Sequence, residues 1–172
     1  LGSLYMLFNI TKDLNFKTTL GEDFNYTEEH IYYTADHPYG NKVGKLIDGR
    51  KSYASTLWEN VLTYKHSFEE DFSLDVMLGH SIQKDVTSSA AQTGIGFPSP
   101  SFDVNSVAAE YSDISTGLSS FLLQSFFGRL SLNYKNRYLL TGTMRADGSS
   151  KFISSNRYGY FPSVSAGWNL GE

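Results

Sequence analysis

The chain has 172 residues, enough for one domain with a sizeable core, and no cysteine, which excludes disulfides and thiolate zinc sites within it. Its net charge of −4 argues against nucleic acid as the main partner. Tyr and Phe occur 12 times each against only 4 Pro, a composition that suits a sheet-rich protein and equally a barrel with aromatic girdles.

In chain order, the first predicted strand covers residues 2–10, where Leu4, Met6, Phe8 and Ile10 alternate with Ser3, Tyr5, Leu7 and Asn9. A short turn at 11–13 leads to the clearest alternation. Leu14, Phe16, Thr18, Leu20, Phe24 and Tyr26 share one parity, interrupted by Glu22, while Asn15, Lys17, Thr19, Gly21, Asp23 and Asn25 share the other. The 13-residue run exceeds an ordinary strand of about 5–6 residues and approaches a tilted membrane-crossing strand of about 9–11 that projects beyond the bilayer. Residues 35–51, rich in Gly and charge, read as a loop. A third strand covers about 53–65, with Trp58, Leu62 and Tyr64 outward and Asn60 as a polar exception.

A turn at 66–71 precedes a fourth strand over about 72–85, where Phe72, Leu74, Val76 and Leu78 oppose Ser73, Asp75, Met77 and Gly79. Residues 86–120 show no periodicity and read as a long functional loop. The fifth strand covers about 121–134, with Phe126, Gly128, Leu130, Leu132 and Tyr134 opposite Ser125, Phe127, Arg129, Ser131 and Asn133. After a tight turn at 135–137, the sixth strand (138–144) sets Tyr138, Leu140, Gly142 and Met144 against Leu139, Thr141, Thr143 and Arg145. A polar loop at 146–157 leads to the seventh (160–170), with Tyr160, Pro162, Val164, Ala166, Trp168 and Leu170 on one face. Pro162 lacks a donor N–H, so a bulge or strand entry is expected there.

Seven strands with alternately short and long connections, apolar on one face and small or polar on the other, predict an all-β fold: an antiparallel up-and-down transmembrane β-barrel segment. Aromatics beside the short turns (Phe16, Tyr64, Phe72, Tyr134, Tyr138) match an interfacial girdle. No stretch of about 18 apolar residues predicts a spanning helix, a test that barrel strands escape. The first residues show no signal-peptide pattern, and the start at Leu1 without Met reads as a fragment or processed piece. Seven strands do not close alone, because an open edge in lipid leaves backbone groups unpaired, so residues 1–172 are expected to form part of a larger barrel wall.

Catalytic constellations are missing. His30, His37, His66 and His80 are not paired at ligand spacing, and there is neither G-x-S-x-G nor a P-loop, so no enzyme, cofactor or metal site is expected. Asp147-Gly148-Ser149-Ser150 reads as a turn at a strand end rather than a cation or sugar site. Arg145 with Asp147, and Arg129 with Asp75, share the polar face. They could line a lumen and contact a solute or a plug, and mutual salt-bridging or hydration is an equal alternative. Tyr and Trp can stack on sugar rings, but beside the turns a lipid-interface belt is the preferred reading, leaving Phe97 and Phe102 as candidates for solute or partner contact.

The stretch RADGSSKF followed by NRYGYFPSVSAGW closely resembles a barrel segment of the SusC/RagA family of TonB-linked outer-membrane transporters, with weaker echoes at Leu57-Trp58-Glu59-Asn60, Met77-Leu78-Gly79-His80 and Phe126-Phe127-Gly128-Arg129. The resemblance implies a barrel of about twenty-two strands closed around a plug. It also implies import of oligosaccharides or peptides across the outer membrane of a Gram-negative bacterium, TonB energy and a SusD-like lipoprotein partner. A soluble all-β carbohydrate-binding module, a jelly roll or sandwich, is the alternative from the alternation and aromatics alone.

Overall fold

The computed structural model describes residues 1–40, 42–68, 71–99, 101, 104–153 and 157–171. They form seven strands: β1 (Gly2–Asn9), β2 (Leu14–Tyr33), β3 (Lys45–Phe68), β4 (Phe72–Ile95), β5 (Glu110–Tyr134), β6 (Tyr138–Ser149) and β7 (Tyr158–Trp168). All seven belong to one antiparallel sheet in sequence order, the up-and-down meander expected. A single 3₁₀ turn at Asn105–Val107 interrupts the β4–β5 connection.

Registers carry the sequence alternation directly into faces. In β1 and β2, Leu4 opposes Leu20, Met6 opposes Thr18 and Phe8 opposes Phe16. In β5, β6 and β7, Leu132, Leu140 and Ala166 stand in one row across three strands, as do Leu130, Gly142 and Val164. Directly opposed residues share a face, so across these paired segments even-numbered positions build a mainly apolar surface and odd-numbered positions a mainly polar one.

Several connections differ from the sequence reading. The loop expected at 35–51 ends where β3 begins at Lys45, and the 86–120 loop shrinks because β4 runs to Ile95 and β5 starts at Glu110. β2 extends to Tyr33 and β3 to Phe68. β6 continues through Asp147, Gly148 and Ser149, which pair with Ser125, Gln124 and Leu123, so the expected turn starts only after them. The reason is side-chain contrast. Ser88, Ser89, Ala90, Ala91, Gln92 and Thr93 in β4, and Ser112, Asp113, Ser115, Thr116 and Gly117 in β5, leave little difference between the faces. Period-2 hydrophobicity then vanishes, while the backbone ladder, which is indifferent to side-chain polarity, persists. At Pro162 the pairing passes one-for-one through Arg145–Phe161, Met144–Pro162 and Thr143–Ser163, without the expected bulge. β7 is an edge strand of this sheet, where a missing donor is tolerated.

The chain forms two compact units, Leu1–Glu22 with Ser55–Lys84 and Phe121–Glu172, and Asp23–Ala54 with Asp85–Ser120. Neither unit holds a substantial core. Among the described residues the one fully buried large apolar side chain is Leu46, whereas Val164 is 77% and Trp168 60% exposed. A single-layer sheet cannot hide an apolar face, and a domain needs a second layer or another medium to do so.

Candidate functional site

The apolar face of the first unit is bounded by two aromatic rows. The lower row lies beside the short turns. Phe8 stacks with Phe16 (centroids 6.2 Å apart), Phe68 meets Phe72 (5.7 Å), and Tyr138 stacks between Tyr134 and Trp168 (6.4 Å each). Arg137, in the β5–β6 turn, lies 6.0 Å from both the Tyr138 and the Trp168 ring centroids. Rings with polar atoms and cations at one edge are the chemistry that suits anchors at the boundary of an apolar medium.

The upper row joins Trp58, His80 and Phe126, with Trp58 edge-on to His80 at 6.5 Å and His80 over Phe126 at 4.8 Å. Its polar atoms are partnered. The Trp58 indole donates to the Thr18 hydroxyl (3.1 Å), the Tyr158 hydroxyl donates to Gln124 Oε1 (2.8 Å), and the Gln124 amide meets His80 Nε2 (3.1 Å). Between the rows the face is Val76, Leu78, Leu130, Leu132, Leu140, Met144, Val164 and Ala166. Tyr138–Trp168 and Gly148–Tyr158 are ten pairs apart in the β6–β7 register. At about 3.3 Å per residue, and with the usual strand tilt, this matches an apolar band of about 25 Å.

Two departures on this face have contrasting outcomes. Glu22, which breaks the alternation of β2, accepts a hydrogen bond from the Thr56 hydroxyl at 2.7 Å and lies on the far side of the Trp58–Thr18 contact from the lower row. Asn60 stays on the apolar side, and nothing in the structure explains it. The upper row was missed in the sequence because its members are scattered, one or two to a strand, and only the register aligns them.

The polar face carries two ionic clusters. Asp75 takes Lys65 Nζ at 3.2 Å and Arg129 Nη2 at 3.7 Å, so of the alternatives that shared parity left open for Arg129 and Asp75 the ion pair is present, with Lys65 as a third member. Arg145 Nε donates to both Asp147 oxygens at 2.8 Å, and its Nη2 donates to Ser125 Oγ at 3.1 Å. Ser125, 1% exposed, lies directly opposite Asp147 in the β5–β6 register. Phe127, opposite Arg145, places its ring 5.6 Å from the guanidinium. Gly79 makes room for that ring, since a Cβ there would lie 2.1 Å from it. The cluster is a guanidinium held at Nε by a carboxylate and at Nη2 by a hydroxyl, and supported on an aromatic face. Beside the short turns, a hollow of about 490 Å³ on the same face is lined by His66, Ser73, Asp75, Ser131, Asn133 and Thr141, among others.

In the second unit the β4–β5 loop is tied down. The Asn105 amide donates to Asp48 Oδ2 (2.7 Å), whose other oxygen meets His30 Nδ1 (2.5 Å), and the Tyr111 hydroxyl donates to the Asn105 carbonyl (3.2 Å). Phe97 meets Tyr32 edge-on at 5.4 Å, and its N–H donates to the Val43 carbonyl (2.9 Å). Phe102 lies outside the described residues. Among the described residues no group of His, Cys, Asp and Glu is arranged to hold a metal ion.

No family model matches the chain. It is 28% identical over 178 residues to TonB-dependent receptor P26 of Formosa agariphila, covering 100% of this chain and 18% of that protein. It is 32% identical over 185 residues to TonB-dependent receptor P3 of the same organism, covering 99% of this chain and 17% of the relative. Over 50 residues, 29% of this chain and 5% of the relative, it is 56% identical to TonB-dependent receptor SusC of Bacteroides thetaiotaomicron. The structure of the RagAB peptide transporter contains a matching segment with TM-score 0.87 at 23% identity, covering 94% of this chain and 18% of that one, which shows the fold. The chain thus spans less than a fifth of the length of the relatives it matches, all of them named as receptors or transporters rather than enzymes. Similarity along the whole chain to TonB-dependent receptors, local similarity to SusC and agreement in fold with RagAB converge: the chain is similar to a SusC/RagA-type segment of a TonB-dependent β-barrel.

Proposed function

We propose that residues 1–172 are part of the wall of an outer-membrane importer of a Gram-negative bacterium, with the even-numbered face against lipid and the odd-numbered face toward a solute pathway and plug. The observation that carries this reading is the pair of aromatic rows bounding an exposed apolar band on one face, with ion pairs on the other. Water on both sides would leave Leu130, Leu140, Val164 and Trp168 uncovered, a cost of about 25 cal/mol per Å² of apolar surface. A soluble sandwich would cover them with a second sheet, whereas the described strands lie in one sheet. Lipid covers them without further protein, and neighbouring strands of the same barrel would close the edges of β1 and β7.

On this reading Asp75, Arg129, Arg145 and Asp147 line the lumen, where water and polar solutes solvate their ion pairs. Phe97, steadied by Tyr32, stands beside the β2–β3 loop and is available to solute or to a partner. The solute is an oligosaccharide or peptide, the energy comes from the TonB complex, and a SusD-like lipoprotein is the partner. The relatives' names as TonB-dependent receptors, and the RagAB peptide importers of the same fold, support this.

The test is uptake by cells with and without the intact parent protein, using maltohexaose and hexa-alanine as probes, each with and without a protonophore. Energy-dependent uptake of one probe that requires the parent protein is expected. Equal uptake in both strains would contradict the reading.

A further inference from the structure

The two aromatic rows differ in where their polar atoms go. In the upper row the Trp58 indole, the Tyr158 hydroxyl and His80 Nε2 all meet protein groups. In the lower row the Arg137 guanidinium, the Tyr138 hydroxyl and the Trp168 indole N–H have no hydrogen-bond or ion-pair partner among the described residues. All three side chains are exposed. Lys135, the other cation of the same turn, already holds Asp71 at 3.3 Å.

Arg137 is nonetheless held in place. Lys135 and Asn136 take left-handed backbone (φ 54° and 50°), and the Arg137 N–H donates to the Tyr134 carbonyl at 3.0 Å. Its own carbonyl accepts from the Asn169 N–H at 2.8 Å, and the Asn169 side-chain amide donates to the Asn136 carbonyl at 3.2 Å. The guanidinium lies 6.0 Å from both the Tyr138 and the Trp168 centroids. A fixed guanidinium beside a phenol and an indole is a set of donors without an acceptor. Its fork matches the oxygens of an anion such as phosphate.

An apolar furrow leads away from this rim. A hollow of about 480 Å³ lies between the lower row and Leu132, Leu140 and Ala166. A second, of about 360 Å³, begins two residues further along each strand, at Leu130, Gly142 and Val164. Small side chains open it, since Ala166 faces Leu140 and a Cβ at Gly142 would meet no atom within 4 Å. Free phosphate would leave the furrow empty, and a hydrocarbon without a headgroup would leave the donors unanswered. A phosphodiester carrying an acyl chain satisfies both, and in a bilayer it lies at the depth where such aromatic rims sit.

We propose that Arg137, Tyr138 and Trp168 hold the phosphodiester of one phospholipid of the periplasmic leaflet, with an acyl chain in the furrow beside Leu140 and Gly142. This rests on the reading of the chain as a barrel wall, which by itself asks only for fluid lipid, and adds to it one lipid bound at a fixed place.

The test uses the intact parent protein purified in detergent and stripped of lipid. It is titrated with dioleoyl phosphatidylglycerol and dioleoyl phosphatidylethanolamine while native mass spectrometry counts the molecules bound. Arg137→Gln weakens the tightest step for at least one of them by about tenfold, the scale of one lost hydrogen bond to a charged group. Arg137→Lys weakens it less, and Gly142→Leu, which fills the furrow, weakens it several-fold. The heat-modifiable gel mobility of all three variants stays that of the parent. A tightest step indifferent to Arg137→Gln, dioleoylglycerol binding as tightly as the phospholipids, or displacement of the lipid by an equal concentration of inorganic phosphate or oleate would each overturn the proposal. A bimane label on Val164→Cys, in phosphatidylcholine vesicles with brominated acyl chains, separates the two levels. A quenched label with Arg137-independent lipid binding sinks only the lipid site, whereas an unquenched label sinks the wall reading beneath it.

Discussion

Tyr138 lies directly opposite Trp168, with ring planes within 12° and centroids 6.4 Å apart. The pair ends the apolar file of Leu140, Gly142 and Met144 on β6 with Ala166, Val164 and Pro162 on β7. On the proposed reading the surrounding medium changes from apolar to aqueous where those rings sit, and the energetic consequences are directly measurable.

Val164, midway along that file and 77% exposed, is the most direct probe of the medium. Val164→Arg in the parent barrel is expected to cost about 2–4 kcal/mol of unfolding free energy in lipid vesicles, as charges on a lipid face do near the midplane. Ser163→Arg, one residue away on the polar face, is expected to cost less than about 1 kcal/mol. Guanidinium titration of both variants checks this, and equal costs would show that the two faces see the same solvent.

Gly79 and Phe127 form a close pair on the polar face. Gly79→Ala drives the Phe127 ring off its place beside Arg145, since the added carbon would lie 2.1 Å from it. Phe127→Leu removes the same cation–ring contact, worth about 0.5–1 kcal/mol at a partly exposed site. A double-mutant cycle should give Gly79→Ala less further effect once Phe127 is Leu. Strict additivity would refute the coupling.

Gly40 fixes the β2–β3 tip. Gly40→Ala is expected to open the 34–44 connection, because the Cβ meets backbone rather than a yielding side chain. Limited proteolysis of whole cells should then nick this connection several times faster than in the parent, while the melting temperature of the barrel stays unchanged. An unaltered nicking rate would argue against the tight turn.

Lys135 gives a pH dependence of known sign. Its amine pKa is raised, first by the hydrogen bond to Asp71 and then by that carboxylate's charge, at a contact of 3.3 Å. A raised folded-state pKa means that the contribution is fully present below the ordinary lysine value and is lost as pH rises through the higher one. Thermal midpoints of the parent should therefore fall more steeply above about pH 10.4 than those of Lys135→Met. Parallel profiles would mean that the pair contributes nothing.

The fold was legible wherever the two faces differ in polarity. Leu132, Leu140 and Ala166 alternate with Ser131, Thr141 and Ser165 strongly enough to place three strands and their faces. Legibility failed at Ser88–Thr93, where both faces are small or polar, and at Ser112–Gly117, where Ile114 is the one large apolar residue, so that backbone pairing rather than alternation defines the strand. The same limit governs the site. Arg145 and Asp147 are two residues apart on one strand, so parity alone places them together, whereas Trp58, His80 and Phe126 come from three strands and meet only through register. The ring contacts among Tyr33, His37 and Tyr39 depend on successive turns around Gly40, which hydrophobic periodicity does not encode.

The central claim is that alternate connections of this sheet emerge on opposite sides of a membrane. Ser99→Cys in the β4–β5 connection and Asn136→Cys in the β5–β6 turn, made separately in the parent protein, can be labelled in intact cells with a membrane-impermeant maleimide; the chain's own lack of cysteine leaves no background from this segment. The account predicts labelling at position 99 in intact cells and at position 136 only after lysis. Equal labelling at both positions in intact cells would contradict it, because a sheet with both ends in the same compartment does not span a bilayer.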